Sequence, residues 1–471
     1  MLFTSFNFLI FFPIVAMLYF AIPHKFRWLW LLFAGYFFYM SWNPLYGILL
    51  FLVTFISWFG ALIIGRSAGS SPARKWALVC GVLLGLSFLI YFKYSAFFLE
   101  SLTALLLRIG LTPSIPAVDI IVPVGLSFYS FQALGYVIDV YRGDIKAEKN
   151  LARHALFVSF FPQLLAGPIG RAKTLAPDLA ARHDFDYQKA RQGLLLMLWG
   201  YFMKMIIADH AAPLVAAVYD DFYYVAGYQV VLATLLFAIQ IYCDFAAYSA
   251  LAIGAAKIMG ISLSENFRQP YLAASVKEFW RRWHISLSTW FRDYLYIPLG
   301  GSRTSRLKKY RNIMITFLVS GLWHGASFNF LAWGALHGLY LIGEDFVASR
   351  PKTGIHRVAR VALTFVLVSF AWIFFRANGL KAAIYMIGRI FTNPLSGAVG
   401  GINFIQPIML LGIIILVFAD IYAQKHDISR LIFKQKTVVR WAFYVAAVIF
   451  ILLFGVYGTD YAQGQFIYFE F

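Results

Sequence analysis

Residues 230–256 read VVLATLLFAIQIYCDFAAYSALAIGAA, with Asp244 the one charged residue. About 20 consecutive apolar residues in a helix cross a bilayer core, and this run exceeds that length. Working outward, similar runs occupy Leu2–Ile22, Trp28–Trp42, Leu45–Gly65, Trp76–Phe98, Ile120–Ile138 and Ala190–Ile207. Beyond it lie Asn312–Phe330, Leu331–Ile342, Val361–Phe375, Phe404–Tyr422 and Trp441–Tyr457. The expected fold is an all-α polytopic membrane protein with about 11–12 transmembrane helices, plus interfacial and re-entrant helices where runs are short or polar. Leu2–Ile22 has no basic leader and no clear small-residue cleavage site, so a retained span is expected there.

Composition agrees. Of 471 residues, 61% are hydrophobic and only 13% are charged, too few charges to clothe a soluble surface and too many apolar side chains for disorder. Lysine and arginine outnumber aspartate and glutamate 40 to 21, a formal net charge of +19. That excess falls mainly in short loops: Lys25 and Arg27, then Arg66, Arg74 and Lys75, then Arg142, Lys146, Lys149 and Arg153. By the positive-inside rule these loops are cytoplasmic and the N-terminus lies outside. The charge is an orientation signal, with anionic membrane lipid a further partner for it and nucleic acid not expected. The chain has no linker rich in proline, glycine or serine, and is expected to form a single membrane domain over 1–471. Cys80 and Cys243 sit in apolar runs without metal-type spacing, so buried, inert thiols and no metal site are expected.

Chemistry is concentrated where the apolar runs stop. Residues 262–311 read SLSENFRQPYLAASVKEFWRRWHISLSTWFRDYLYIPLGGSRTSRLKKYR. The mixture of Trp280, Trp283, Trp290 and Phe291 with Lys277, Arg281, Arg282 and Arg292 suits a membrane interface, with rings at headgroup level and cations near phosphates. Ser275 and Glu278 fit a capping box, so a helix is expected from Ser275 until Pro298 and Gly300–Gly301 break it. His284 lies within that helix, in WRRWH. His324 follows in GLWHG, about 18 Å into the run from Asn312 at 1.5 Å per residue, near the middle of a bilayer core. His337 follows in ALHGLY. An ionisable side chain at such depth marks a cavity or a path.

Histidine takes a proton from a hydroxyl and returns one to a leaving group, which suits acyl transfer from a thioester to an alcohol. No GxSxG elbow or activated cysteine setting is present, so a covalent serine or cysteine intermediate is not indicated. A proton-coupled transporter, with the intramembrane histidines, Lys204, Asp209 and Asp244 as a relay, is the competing reading.

FWRRWHISLSTWFRDYLYIPLGGSR (279–303) followed by RNIMITFLVSGLWHGASFNFLAWGALHG (311–338) resembles the signature of the bacterial membrane-bound O-acyltransferase (MBOAT) family, in particular its alginate and exopolysaccharide O-acetylation branch. VPVGLSFYSFQALGYVIDVYRG, FPQLLAGPIGR, QIYCDFAAYSALAIG, ENFRQPY and AWIFFRA extend the likeness over most of the chain. Ala250 stands where the family often has an acidic residue, and DFAAYS where DFSGYS is common. The resemblance implies a fold pierced by a central tunnel, with His324 as catalytic histidine and His284 as the second, toward the cytoplasmic entrance. Asp244, Trp323, His337 and Gln132 are tunnel-lining candidates, and Lys277, Arg281 and Arg282 are candidate contacts for the anionic coenzyme. It further implies acetyl-CoA as donor substrate with no bound cofactor, and an exopolysaccharide as acceptor. A periplasmic acetyltransferase or acyl-carrier protein is the implied partner, and the inner membrane the implied location. D-alanyl transfer proteins of teichoic acid modification share the histidine motifs.

Overall fold

The computed structural model describes residues 1–67, 69, 71–111, 122–347, 354–395, 404 and 406–457. Ile120, Ile121 and Ile405, which the sequence reading placed in apolar runs, lie outside the described residues. Among the described residues every regular element is helical. Each apolar run falls on a helix. Six helices are long and apolar enough to cross a membrane: Pro44–Arg66, Pro72–Arg108, Tyr187–Tyr219, Gly227–Ile258, Ile355–Arg376 and Thr437–Phe454. Phe6–Ala21 and Pro407–Ala423 are shorter apolar helices. The remaining runs form helices of 17 to 19 residues with more polar content, such as His24–Met40 and Arg306–His324. Large apolar side chains stand exposed along these elements; on Thr437–Phe454 only Ile451 is buried. Surfaces of that kind are solvated by lipid tails rather than water.

Two compact units divide the chain. The first comprises Met1–Gly193 with Ala255–Ser264. Its helices start where the sequence supplies caps. Asn43 accepts from the Leu45 N–H ahead of Pro44 at the first helical position, and Asn150 accepts from Ala152 and Arg153. Packing is close enough that a Cβ on Gly35 would meet the Ser159 carbonyl oxygen at 2.3 Å. Inside this unit His154 is buried, with its Nε2 2.8 Å from Ser57 Oγ.

The second unit comprises Leu194–Gly254 and the chain from Glu265. Its core is aromatic: Trp283, Trp333 and Trp372 are each no more than 1% exposed. Arg306–His324 and Phe328–Glu344 form a helical hairpin whose crossing point is two glycines. A Cβ on Gly321 would lie 2.3 Å from the Phe330 carbonyl oxygen, and one on Gly334 would lie 2.3 Å from that of Phe317. Small residues permit this backbone approach in apolar surroundings. Here the sequence reading needs correction. It divided the apolar stretch at Phe330–Leu331, whereas the chain turns at Gly325–Ser327. Apolar periodicity does not register the turn, because the sequence stays largely apolar on both sides of it.

The interfacial segment also differs from expectation. In place of one helix there are two, Val276–Phe279 and Ile285–Phe291, followed by a π-helical turn at Arg292–Tyr296. The break falls at His284, whose φ of 42° is left-handed. Two backbone bonds draw the chain out of helical register: Arg268 N–H donates to the Arg282 carbonyl and Ile285 N–H to that of Asn266, each at 2.9 Å. Ser275 caps the first of these helices as expected, its Oγ accepting from the Glu278 N–H at 3.1 Å, while the Glu278 carboxylate accepts from the Ala274 N–H at 2.9 Å rather than from that of Ser275. Of the two cysteines, Cys243 is buried as expected. Cys80 is exposed, on a helix face it shares with the exposed Trp76, Leu83 and Leu84.

Candidate active site

His324 is the last residue of its helix rather than a mid-helix residue. It is 3% exposed, and its Nδ1 lies 2.7 Å from the Ser320 carbonyl oxygen one turn back. A carbonyl only accepts, so Nδ1 carries the proton and Nε2 of the neutral ring carries the lone pair. Trp323, Trp333 and Phe375 surround the ring at centroid distances of 4.9, 4.8 and 5.5 Å. Gly325 is required because a Cβ there would lie 2.0 Å from the Phe330 ring.

His284 is fully buried in the same unit. Its Nδ1 is 3.1 Å from Asn266 Oδ1, which also accepts from the Ser286 N–H at 3.2 Å and the Ser286 hydroxyl at 2.9 Å. The amide nitrogen of Asn266 donates to Ser249 Oγ at 3.1 Å. The Ser286 N–H fixes which end of the amide is oxygen, so His284 too is protonated on Nδ1 with Nε2 as the basic atom. Burial, reinforced by nearby His324, holds the His284 imidazole well below its ordinary pKa. Both rings lie against Trp323, with His284 at 6.3 Å between centroids. A left-handed non-glycine residue costs of order 1–3 kcal/mol and persists where its surroundings over-determine it. At His284 the Arg268–Arg282 bond before it and the Asn266 bonds to it and to Ile285 and Ser286 supply that constraint.

The other expected site residues divide. Trp323 and His337 join the two histidines in one aromatic cluster. Lys277 and Arg281 are exposed and available to an anion. Arg282 is committed to Glu278 at 2.6 Å and to the Gln269 carbonyl at 3.3 Å. Asp244 belongs to a buried cluster in which Lys204 Nζ lies 2.7 Å from Asp244 and 2.8 Å from Asp209. A π-helical turn at Met203–Ala208 makes this possible. Residues five apart on an α-helix diverge by about 140° at 100° per residue, and the wider π turn brings them back to one face. Gln132 lies in the first unit, where its amide donates to the Phe157 carbonyl at 2.6 Å.

Sequence reasoning missed Asn266, Ser249 and Ser320 as positioning partners. ENFRQPY carried Asn266, but nothing in its spacing pairs residue 266 with residue 284. Glu344 was missed as well: its carboxylate accepts from the Val276 N–H and, at 3.1 Å, from the Lys277 N–H, capping a helix 68 residues away in sequence.

Buried histidines in fixed tautomers on a helical membrane scaffold suit a membrane enzyme that moves protons, as acyl transfer requires. Comparison with known proteins agrees. The family model described as membrane-bound O-acyltransferase matches residues 145–384. The probable alginate O-acetylase of Pseudomonas syringae pv. tomato is 41% identical over 402 residues, covering 83% of this chain and 75% of that protein. The peptidoglycan O-acetyltransferase of Helicobacter pylori is 33% identical over 398 residues, covering 78% and 74%. The teichoic acid D-alanyltransferase of Bacillus subtilis is 25% identical over 359 residues, covering 71% and 86%. The chain belongs to the membrane-bound O-acyltransferase family and is a multi-pass membrane acyltransferase.

Proposed function

We propose that this enzyme takes an acetyl group from cytoplasmic acetyl-CoA and passes it across the bacterial inner membrane to O-acetylate an exported polysaccharide, directly or through a periplasmic partner. The observation that carries the reading is the His284–Trp323–His324 arrangement, with both basic Nε2 atoms set by hydrogen bonds at Nδ1. The alginate O-acetylase relative, at 41% identity against 25% for the D-alanyltransferase, favours acetyl over D-alanyl transfer. The positive-inside rule supports an outside N-terminus, with the basic segment 268–311 facing the cytoplasm.

In this mechanism His324 Nε2 removes the proton of the acceptor hydroxyl. The oxygen attacks the thioester carbonyl carbon, and the carbonyl π pair moves onto oxygen. As the pair returns, the C–S bond breaks and the thiolate takes the proton from His324, releasing free coenzyme and the acetyl ester. His284 orients the thioester, and Lys277 and Arg281 meet the coenzyme phosphates. The test is His324→Ala: polymer acetylation and acetyl-CoA turnover in detergent should both vanish while the protein remains inserted. Retained acetylation in a folded variant overturns the assignment.

A further inference from the structure

The three buried histidines of the second unit are not protonated alike. His284 and His324 each donate from Nδ1 and present a basic Nε2. His337 is the reverse. Trp280 Nε1–H, which can only donate, lies 3.2 Å from His337 Nδ1. Nδ1 therefore accepts, and the proton of the neutral ring sits on Nε2. His337 is fully buried, and its Nε2–H meets no acceptor among the described residues. Trp333, one turn earlier on the same helix face, is also fully buried, and its Nε1–H likewise meets no acceptor among the described residues. The Trp333 ring centroid is 4.8 Å from that of His324 and 4.9 Å from that of His337. Buried donors without acceptors are rare, and each costs about 1–3 kcal/mol. Two such donors, one turn apart on the helix whose Trp333 packs on His324, are suited to meet an oxygen that bears, or develops, negative charge.

We propose that His337 Nε2–H, assisted by Trp333 Nε1–H, binds the carbonyl oxygen of the acyl thioester and stabilises the oxyanion formed when the acceptor hydroxyl adds to that carbonyl. This rests on the acyl-transfer reading above and extends it: His324 moves the proton, and His337 keeps its own and serves as the electrophilic donor. Trp280 is a positioning residue that fixes the His337 tautomer.

The test uses infrared difference spectroscopy of acetyl-CoA labelled with carbon-13 at the carbonyl, bound to full-length protein carrying His324→Ala so that no turnover occurs. The bound carbonyl band should lie at lower wavenumber than that of free thioester. Adding His337→Phe should return it toward the free position. Adding His337→Gln, whose amide nitrogen reaches the place of Nε2, should retain most of the shift. Should the Phe variant not accumulate, Trp333→Phe carries the same test with a smaller return. In the enzyme with His324 intact, His337→Phe should lower kcat by about 10²–10³ with little change in KM for acetyl-CoA. A bound band whose position ignores residues 337 and 333 overturns this proposal alone. Failure of wild-type protein to bind or turn over acetyl-CoA removes the functional reading and this proposal with it.

Discussion

Replacing Gly321 with alanine tests whether the hairpin crossing sets the position of His324. The new Cβ would stand 2.3 Å from the Phe330 carbonyl oxygen, whereas ordinary contact begins at 3.4 Å. The obstruction is backbone, so no side-chain rotation relieves it, and the two helices must part by about 1 Å. His324 lies one turn beyond Gly321 and moves with its helix. A misplacement of about 1 Å at a reacting group costs about 10²-fold in rate. The crowding itself costs roughly 1–3 kcal/mol, against which alanine returns up to about 1 kcal/mol of helix propensity. Rate should thus fall far more than stability. Gly343→Ala is the control: it lies near the end of the other hairpin helix, is exposed, and its Cβ would meet nothing within 4 Å. The assay is acetyl-CoA turnover in detergent beside the thermal midpoint of each variant. Wild-type turnover in Gly321→Ala, or an equal loss in Gly343→Ala, would refute the reasoning.

Asn266→Ala leaves the His284 Nδ1–H and the Ser286 N–H buried without their acceptor; at about 1–3 kcal/mol each it should lower the thermal midpoint and abolish turnover. Lys204→Met strands two buried carboxylates, costs about 3–5 kcal/mol and should prevent accumulation; adding Asp209→Asn and Asp244→Asn should restore part of the yield, measured by quantitative blotting. Burial pushes the His154 imidazole down to about 3 from 6.5 in the unfolded chain. The unfolded chain therefore binds that proton first, and stability present above pH 6.5 is lost as pH falls toward 3. Between pH 6.5 and about 5 the loss is about 2 kcal/mol. His154→Gln, which keeps a group near Ser57 but does not titrate in this range, should show a flatter acid limb in a thermal-midpoint series.

Fold class was legible because burial in lipid demands long apolar helices, and among the described residues each such run carries a helix. The two histidine motifs were legible because ionisable residues among apolar ones are costly and so carry information. What the one-dimensional pattern concealed was local backbone geometry. His284 reads as helical from its neighbours, yet Asn266, 18 residues earlier, pulls it into the left-handed region through bonds no periodicity encodes. The resemblance offers Arg282 as a coenzyme contact, and only the folded chain shows its ion pair with Glu278. The resemblance offers Gln132 as a tunnel-lining candidate; folding gives its amide the Phe157 carbonyl in the first unit.

The buried Lys204 cluster bears on how the chain enters the membrane. Lys204 and Asp209 lie on one span and Asp244 on the next, so synthesis delivers the cation and its first counter-ion together. The π turn pairs them within a single hairpin arm, so that segment is offered to the bilayer already neutralised. A lone lysine at its centre would cost about 2.5–3.5 kcal/mol at the insertion step. Asp244 arrives later on the next span and completes the cluster at Lys204 Nζ, which fixes the register of its helix. Removing a residue between 203 and 208 would undo that pairing during biogenesis, before any catalytic geometry exists to be disturbed.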